Sequence, residues 1–297
     1  MSLPFPIEWI PLLAAFGGSI VAAGWDLKTT EVPDEVFYAM FGIGIVYYIY
    51  QSFLAASLMP FLMPVIFGGV MFAIGYTMYK LGQWGGADAF LLTAVAFLLP
   101  AVPASLGFSG QTFFPFPISF FINVFLIGTP YMLAYAAIIA IRSRKVQQSF
   151  SRDMKASAKT YTMFSAVLFA FLSAVSYYLG QAFSLQLSPF EIIRNSLIPV
   201  IAALGLFVIY RFGKSVEDFA FKKKIPVGRL RVGDVLLDSK EFIGMSARQV
   251  AAMKRSGKKY VIIKEGIRFA PAFPLALLFT LLYGDAIFLL FKYFLGF

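Results

Sequence analysis

Two aspartates stand where chemistry is possible. Asp26 closes an apolar run in Trp25-Asp26-Leu27-Lys28, and Asp88 follows Gly85-Gly86-Ala87 at the start of another. A carboxyl at the end of an apolar helix is costly to desolvate and marks a candidate functional group. If both helix ends lie at one face of a bilayer, the two carboxyls can meet. Close carboxyls do not readily ionise together, so one keeps its proton near neutral pH. The ionised partner can then take a proton from water while the protonated one polarises an amide carbonyl. The sequence does not assign these two roles, and the titration belongs to the pair. Each residue also has a structural reading. Asp26 can be a polar helix end beside Lys28, and Asp88 a helix N-cap favoured by free N–H groups and the helix dipole. Gly85 and Gly86 can be loop, or can let backbone approach a substrate strand closely.

The positioning elements are helices in lipid. The chain has 297 residues, 60% hydrophobic and 13% charged, with a mean hydropathy of +0.79. A soluble domain carries about 25% charge. A spanning helix needs about 20 mostly apolar residues. Candidates lie at 8–25, 35–54, 59–80, 88–103, 116–141, 160–180, 190–211 and 270–293, with Pro100 and Pro103 ending the fourth. The expected fold is an all-α polytopic membrane protein of about eight spans or fewer. Met1 to Ile10 holds no Lys or Arg, so the first apolar run reads as a retained helix rather than a cleaved signal. Cys and His are both absent. That excludes disulfides, thiolate zinc sites and a Ser-His-Asp triad. No cofactor or metal is expected.

Lys28, Lys80, the cluster Arg142 to Lys159 and the many bases after Arg211 follow the first, third, fifth and seventh candidates. Of 25 Lys and Arg residues, all but Arg194 and Lys292 fall on one side. The positive-inside rule then predicts both termini outside and both aspartates at the cytoplasmic face of the cell membrane. The basic excess reads as orientation and contact with anionic lipid rather than nucleic-acid binding.

Residues 1–211 read as the membrane domain holding the two aspartates, and 269–297 as a final spanning helix. Between them, 212–268 is charged and reads as a small α/β cytoplasmic domain. Gly228 to Leu237 reads as turn and strand, with Gly233-Asp234 as a turn pair. Ser246 and Gln249 fit a capping box, and 259–263 a strand.

The other acids weigh less. Asp34 reads as the cap of the second helix and Glu31 as solvated loop. Asp285 lies inside the last apolar run, about 15 residues or roughly 22 Å from its cytoplasmic end, too far to join the pair. Asn123 and Asn195 read as interhelical hydrogen-bonding residues.

At these residues the chain resembles the GxGD aspartyl proteases, and within them the type IV prepilin peptidase family with its archaeal preflagellin (archaellin) peptidase branch. The resemblance rests on Asp26, Lys28 and Val32-Pro33, on Gly85-Gly86-Ala87-Asp88, and downstream on Gly233-Asp234-Val235 and the stretch Glu265 to Phe273. It implies Asp26 and Asp88 as the catalytic pair, with Gly85, Gly86 and Ala87 supporting them. It implies archaellin or pilin-like precursors as substrates, each with a short basic leader before an apolar helix and cut at the junction. Ala87 stands where the motif has Gly, and about eight spans exceed the six usual in the archaeal branch. The Cys-rich domain of the methylating bacterial members is absent, which argues against a methyltransferase role.

Two other readings use the same residues. A presenilin-like or signal-peptide-peptidase-like protease would cut within a transmembrane helix. Its Pro-Ala-Leu element is only approximated by Pro271-Ala272-Phe273. A proton or cation transporter would use paired carboxylates without hydrolysis.

Overall fold

The computed structural model describes residues 7–102, 105, 107, 108, 110, 112–237, 244–264 and 266–295. Pro103, Glu265, positions 238–243 and both chain ends, named in the sequence reading, lie outside the described residues. The chain divides into two compact units. One is built from the two ends of the chain, up to Ala134 and from Lys224 onward; the other runs from Tyr135 to Lys223.

In the first unit, α1 (Trp9–Thr29), α2 (Asp34–Leu54) and α3 (Met59–Lys80) are 21, 21 and 22 residues long. At 1.5 Å per residue each reaches roughly 30 Å, the thickness of a bilayer core. Asp34, expected as the cap of α2, stands in its first turn instead. Pro33 takes the cap position, in extended conformation. The Asp34 carboxylate complements the helix dipole there without capping it.

The fourth helix, α4 (Gly86–Leu98), has only 13 residues, so it is about 20 Å long and falls short of a span. It stops because Leu99 leaves the helical region (φ −129°, ψ 65°) ahead of Pro100, whose ring disfavours α geometry in the residue before it. Ten of its residues are buried, because α1, α2 and α3 pack around it. The approach is close. A Cβ on Gly75 of α3 would lie 3.0 Å from the Ala89 Cα, so the α3–α4 crossing depends on that glycine.

α5 begins in this unit and runs Phe116–Arg142. The last apolar run is two helices, α9 (Ala272–Tyr283) and α10 (Ala286–Leu295), bent by 51°. Gly284 makes the break at φ 76°. Asn123 of α5 holds both halves. Its Nδ2 donates to Thr280 Oγ1 (2.9 Å) and to the Gly284 carbonyl (2.8 Å), and its Oδ1 accepts from the Ala286 N–H (3.0 Å). Asp285, at the break, is buried and accepts from the Phe113 N–H. Asn195, expected in a similar role, is exposed.

The small α/β part has strand order β1-β3-β2, with β1 (Lys222–Pro226), β2 (Val235–Leu236) and β3 (Tyr260–Lys264). β2 runs antiparallel to β3, with Val235 opposite Lys264 and Leu236 opposite Ile263. α8 (Ala247–Arg255) opens with the expected capping box: Gln249 Oε1 accepts from the Ser246 N–H at 2.7 Å. Leu230, Met245 and Val250 form its core.

In the second unit, α6 (Arg144–Ala182) and α7 (Pro189–Val216) pack on each other, and a π-helical turn, Glu217–Phe221, follows α7. The basic stretch before residue 160, expected as loop, is helical. Ser143 caps it, and α6 reaches 39 residues. Among the described residues six helices are long and apolar enough to cross a membrane, or seven if the bent α9–α10 pair is one span. The molecule is a polytopic helical membrane protein with a small α/β part.

Candidate active site

Asp26 sits in the last turn of α1. Its carbonyl accepts from the Thr30 N–H at 2.9 Å, and Thr30 ends the helix in the left-handed region (φ 62°). Its side chain turns inward and is 7% exposed. Oδ2 accepts a buried hydrogen bond from the Ala270 backbone N–H at 2.9 Å. Ala270 lies in the irregular segment between β3 and α9, so residues 244 positions apart form this contact. Arg268, in the same segment, is near enough for its charge to act on Asp26.

Asp88 is the third residue of α4 and is 8% exposed. Its Oδ2 reaches back to the Gly85 N–H at 3.0 Å. Gly85 is the N-cap, in extended conformation, and the donor to the carboxylate, whereas Gly86 is the first residue of the helix. The N-cap role expected for Asp88 moves three residues: Gly85 caps, and Asp88 satisfies the cap's own N–H. Gly86 keeps ordinary contact distance from the Tyr79 ring, 3.8 Å from a built Cβ. Ala87 packs on the main core.

The fold brings the two aspartates together from the end of α1 and the start of α4. The charge of Asp26 acts on Asp88. Each carboxyl spends Oδ2 on a backbone amide, and neither Oδ1 has a hydrogen-bond partner among the described residues. Each carboxyl thus has one oxygen held and one left as an acceptor for water or substrate. Among the described residues no three His, Cys, Asp or Glu side chains gather as metal ligands.

Sequence reasoning missed two parts of this site. Trp84, just before the glycine pair, is buried. It stacks on Phe125 at 5.3 Å between ring centres and touches Phe269 and Phe273 at 6.0 and 5.9 Å. These rings pack the start of α4 against α5 and the start of α9. A tryptophan beside Gly-Gly was the available signal. The Ala270 amide carried none, since a backbone donor has no residue-type signature.

Two buried carboxyls at adjoining helix ends, inside a polytopic helical protein, define a class of membrane protein with an embedded acid pair. Residues 13–133, which include both aspartates, match the family model described as the type IV leader peptidase family. Over that segment the chain is similar to this family. It is 30% identical over 146 residues to the prepilin peptidase EppA of Methanothermobacter thermautotrophicus, covering 47% of this chain and 38% of that one. It is 32% identical over 84 residues to the preflagellin peptidase of Methanococcus voltae, and 31% over 83 residues to that of Methanocaldococcus jannaschii. Those two matches cover 28% of this chain and 36% and 35% of the relatives. The chain thus matches well under half the length of each of these relatives.

Proposed function

We propose that this protein is a membrane-embedded aspartic endopeptidase, which removes the short basic leader from archaellin or type IV pilin-like precursors. The observation that carries the proposal is the pair Asp26 and Asp88. The two are buried, electrostatically coupled and each tethered by one backbone amide, inside the segment that matches the leader peptidases. Asp26 and Asp88 share one proton. The ionised carboxyl takes a proton from the water as the water attacks the scissile carbonyl. The protonated carboxyl donates to the carbonyl oxygen. A tetrahedral intermediate then breaks down as the amine leaves with a proton from the pair.

Sidedness follows from the basic residues. Lys28 and Lys80 end α1 and α3 beside the two aspartates, and positive charge favours the cytoplasmic face. Residues 212–268 belong to the same side on this reading. The precursor's apolar helix stays in lipid against the enzyme's helices, and its basic leader stays in the cytoplasm, so the junction meets the pair.

The test is cleavage of such a precursor in detergent or liposomes by wild type, Asp26→Asn and Asp88→Asn. Wild type should release the leader at the junction. Each variant should insert normally and lose at least about 10²–10⁴-fold in rate, the usual size of an acid–base contribution. Full processing by either variant would reject the pair. Cutting inside the apolar helix would move the protein to the presenilin-like class. Asp88-dependent cation uptake without cleavage would make it a transporter.

A further inference from the structure

The Asp26 carboxyl is held by the chain segment that leads into α9, and that segment has no ladder of its own. Residues 266–271, between β3 and α9, lie outside regular structure. The Ala270 N–H is placed on one side by the turn into α9, where the Ala272 and Phe273 N–H groups donate to the Phe269 and Ala270 carbonyls at 2.9 and 3.1 Å, and on the other by side chains that grip its neighbours. Two grips come from one face of α5. The Tyr131 hydroxyl donates to the Arg268 carbonyl at 2.9 Å, two residues before the amide that binds Asp26. One turn earlier on the same face, a Cβ on Gly128 would lie 2.9 Å from Phe269 Cε2 and 3.1 Å from Ala272 Cβ. So α5 lies against the Arg268 carbonyl and the Phe269 ring before Ala270 and against the Ala272 methyl after it. From the other side, Trp84 packs on Phe269. Residues 268, 269 and 272 are thus each fixed, and residue 270 is left with one position from which to reach Asp26 Oδ2 at 2.9 Å.

We infer that Tyr131 is a positioning residue for the acid pair: through the Arg268 carbonyl it sets the Ala270 amide that orients Asp26. This rests on the leader-peptidase reading. Tyr131 does not touch the reacting atoms. Its hydroxyl fixes which way Asp26 turns its free Oδ1, and so whether that oxygen and the one on Asp88 share a water. A carboxyl that rotates off this line still binds precursor but seldom attacks.

The test is steady-state cleavage by wild type, Tyr131→Phe and Asp26→Asn, with affinity for an uncleavable precursor and for a hydroxyl-bearing transition-state mimic measured on each. Tyr131→Phe should lower kcat by about 10- to 100-fold, the cost of a misplacement of ångström size, with KM and uncleavable-precursor affinity unchanged. Its affinity for the mimic should fall by a similar factor, because the mimic's hydroxyl needs both carboxyls aimed. A merely structural role would not separate the mimic from the precursor. Gly128→Ala, which crowds Phe269 without removing a hydroxyl, should give the same split. Tyr283→Phe, an exposed tyrosine at the far end of α9, should match wild type. An active wild type with an equally active Tyr131→Phe would overturn this inference and leave the peptidase standing. A Tyr131→Phe that loses precursor and mimic affinity together would also overturn it. A folded wild type that cleaves no precursor would overturn the peptidase reading and the inference with it.

Discussion

α4 is apolar throughout and α6 is apolar beyond its basic first half, and they use that property in opposite ways. α4 has 13 residues and buries ten of them. α6 has 39 residues and buries Val146, Ser149 and Gly180. Val167 and Phe171 on α6 are more than 60% exposed, whereas Leu92 and Val95 on α4 are fully enclosed. An apolar residue on α6 meets lipid, where folding gains little by moving it. An apolar residue on α4 meets other side chains packed to crystal-like density, where a missing methylene is felt. The acid pair belongs to the second kind of environment. Asp88 is carried on a helix with ten of its thirteen residues buried, so its position is set mainly by packing and not by the bilayer.

Substitutions can break or sharpen that contrast. The largest effect is on rate, from Asp88→Asn, as set out above. Next, Leu92→Ala should destabilise by about 2–5 kcal/mol, because it opens a cavity at a site with 0% exposure. Phe171→Ala on α6 should change stability by less than about 0.5 kcal/mol. Both are read by reversible unfolding in a mild detergent. Equal costs would mean that Phe171 packs on protein too. Gly75→Ala should cost about 1–3 kcal/mol and lower cleavage with it, since the new methyl meets the backbone of Ala89. Gly205→Ala on α7 has nothing within 4 Å and should be neutral or slightly stabilising in a helix. Asn123→Ala should cost about 1–3 kcal/mol by stranding buried partners at the α9–α10 break. It should leave kcat nearly unchanged in the fraction that folds, because the break is at the end of α9 away from Ala270. A large kcat loss there, with normal folding, would mean that the break and the acid pair are coupled.

The legible part of the fold was whatever leaves a signature in residue type. Asp26 and Asp88 stood out because a carboxyl at the end of an apolar run is costly to desolvate. The capping box at Ser246 and Gln249 was readable because its two side chains are three apart. The stop of α4 was read from Pro100 and Pro103, but the run was carried to residue 103, whereas the helix ends at Leu98, before Leu99-Pro100. The helical start of α6 was hidden by its bases, which read as solvated loop although Lys and Arg are good helix formers. The break in the last helix was visible as Gly284-Asp285 and was read as an acid within a helix. β1 was unreadable for a similar reason: Lys222-Lys223-Lys224 has no alternation to mark a strand. The hold of Ala270 on Asp26 and of Tyr131 on Arg268 joins distant segments through backbone atoms. Only the folded chain displays such a bond.

The elbow at Gly284 and Asp285 has a mechanical consequence. A straight rod through a bilayer is a lever: a tilt at one end appears at the other. α9 and α10 meet at 51°, and Asn123 hydrogen-bonds to both arms. A swing of α10, whether from bilayer thinning or from thermal rocking, therefore also loads α5 through Asn123. What reaches the arm that begins beside the acid pair is shared between two helices, as a bracket shares the load of a bent beam with the wall behind it.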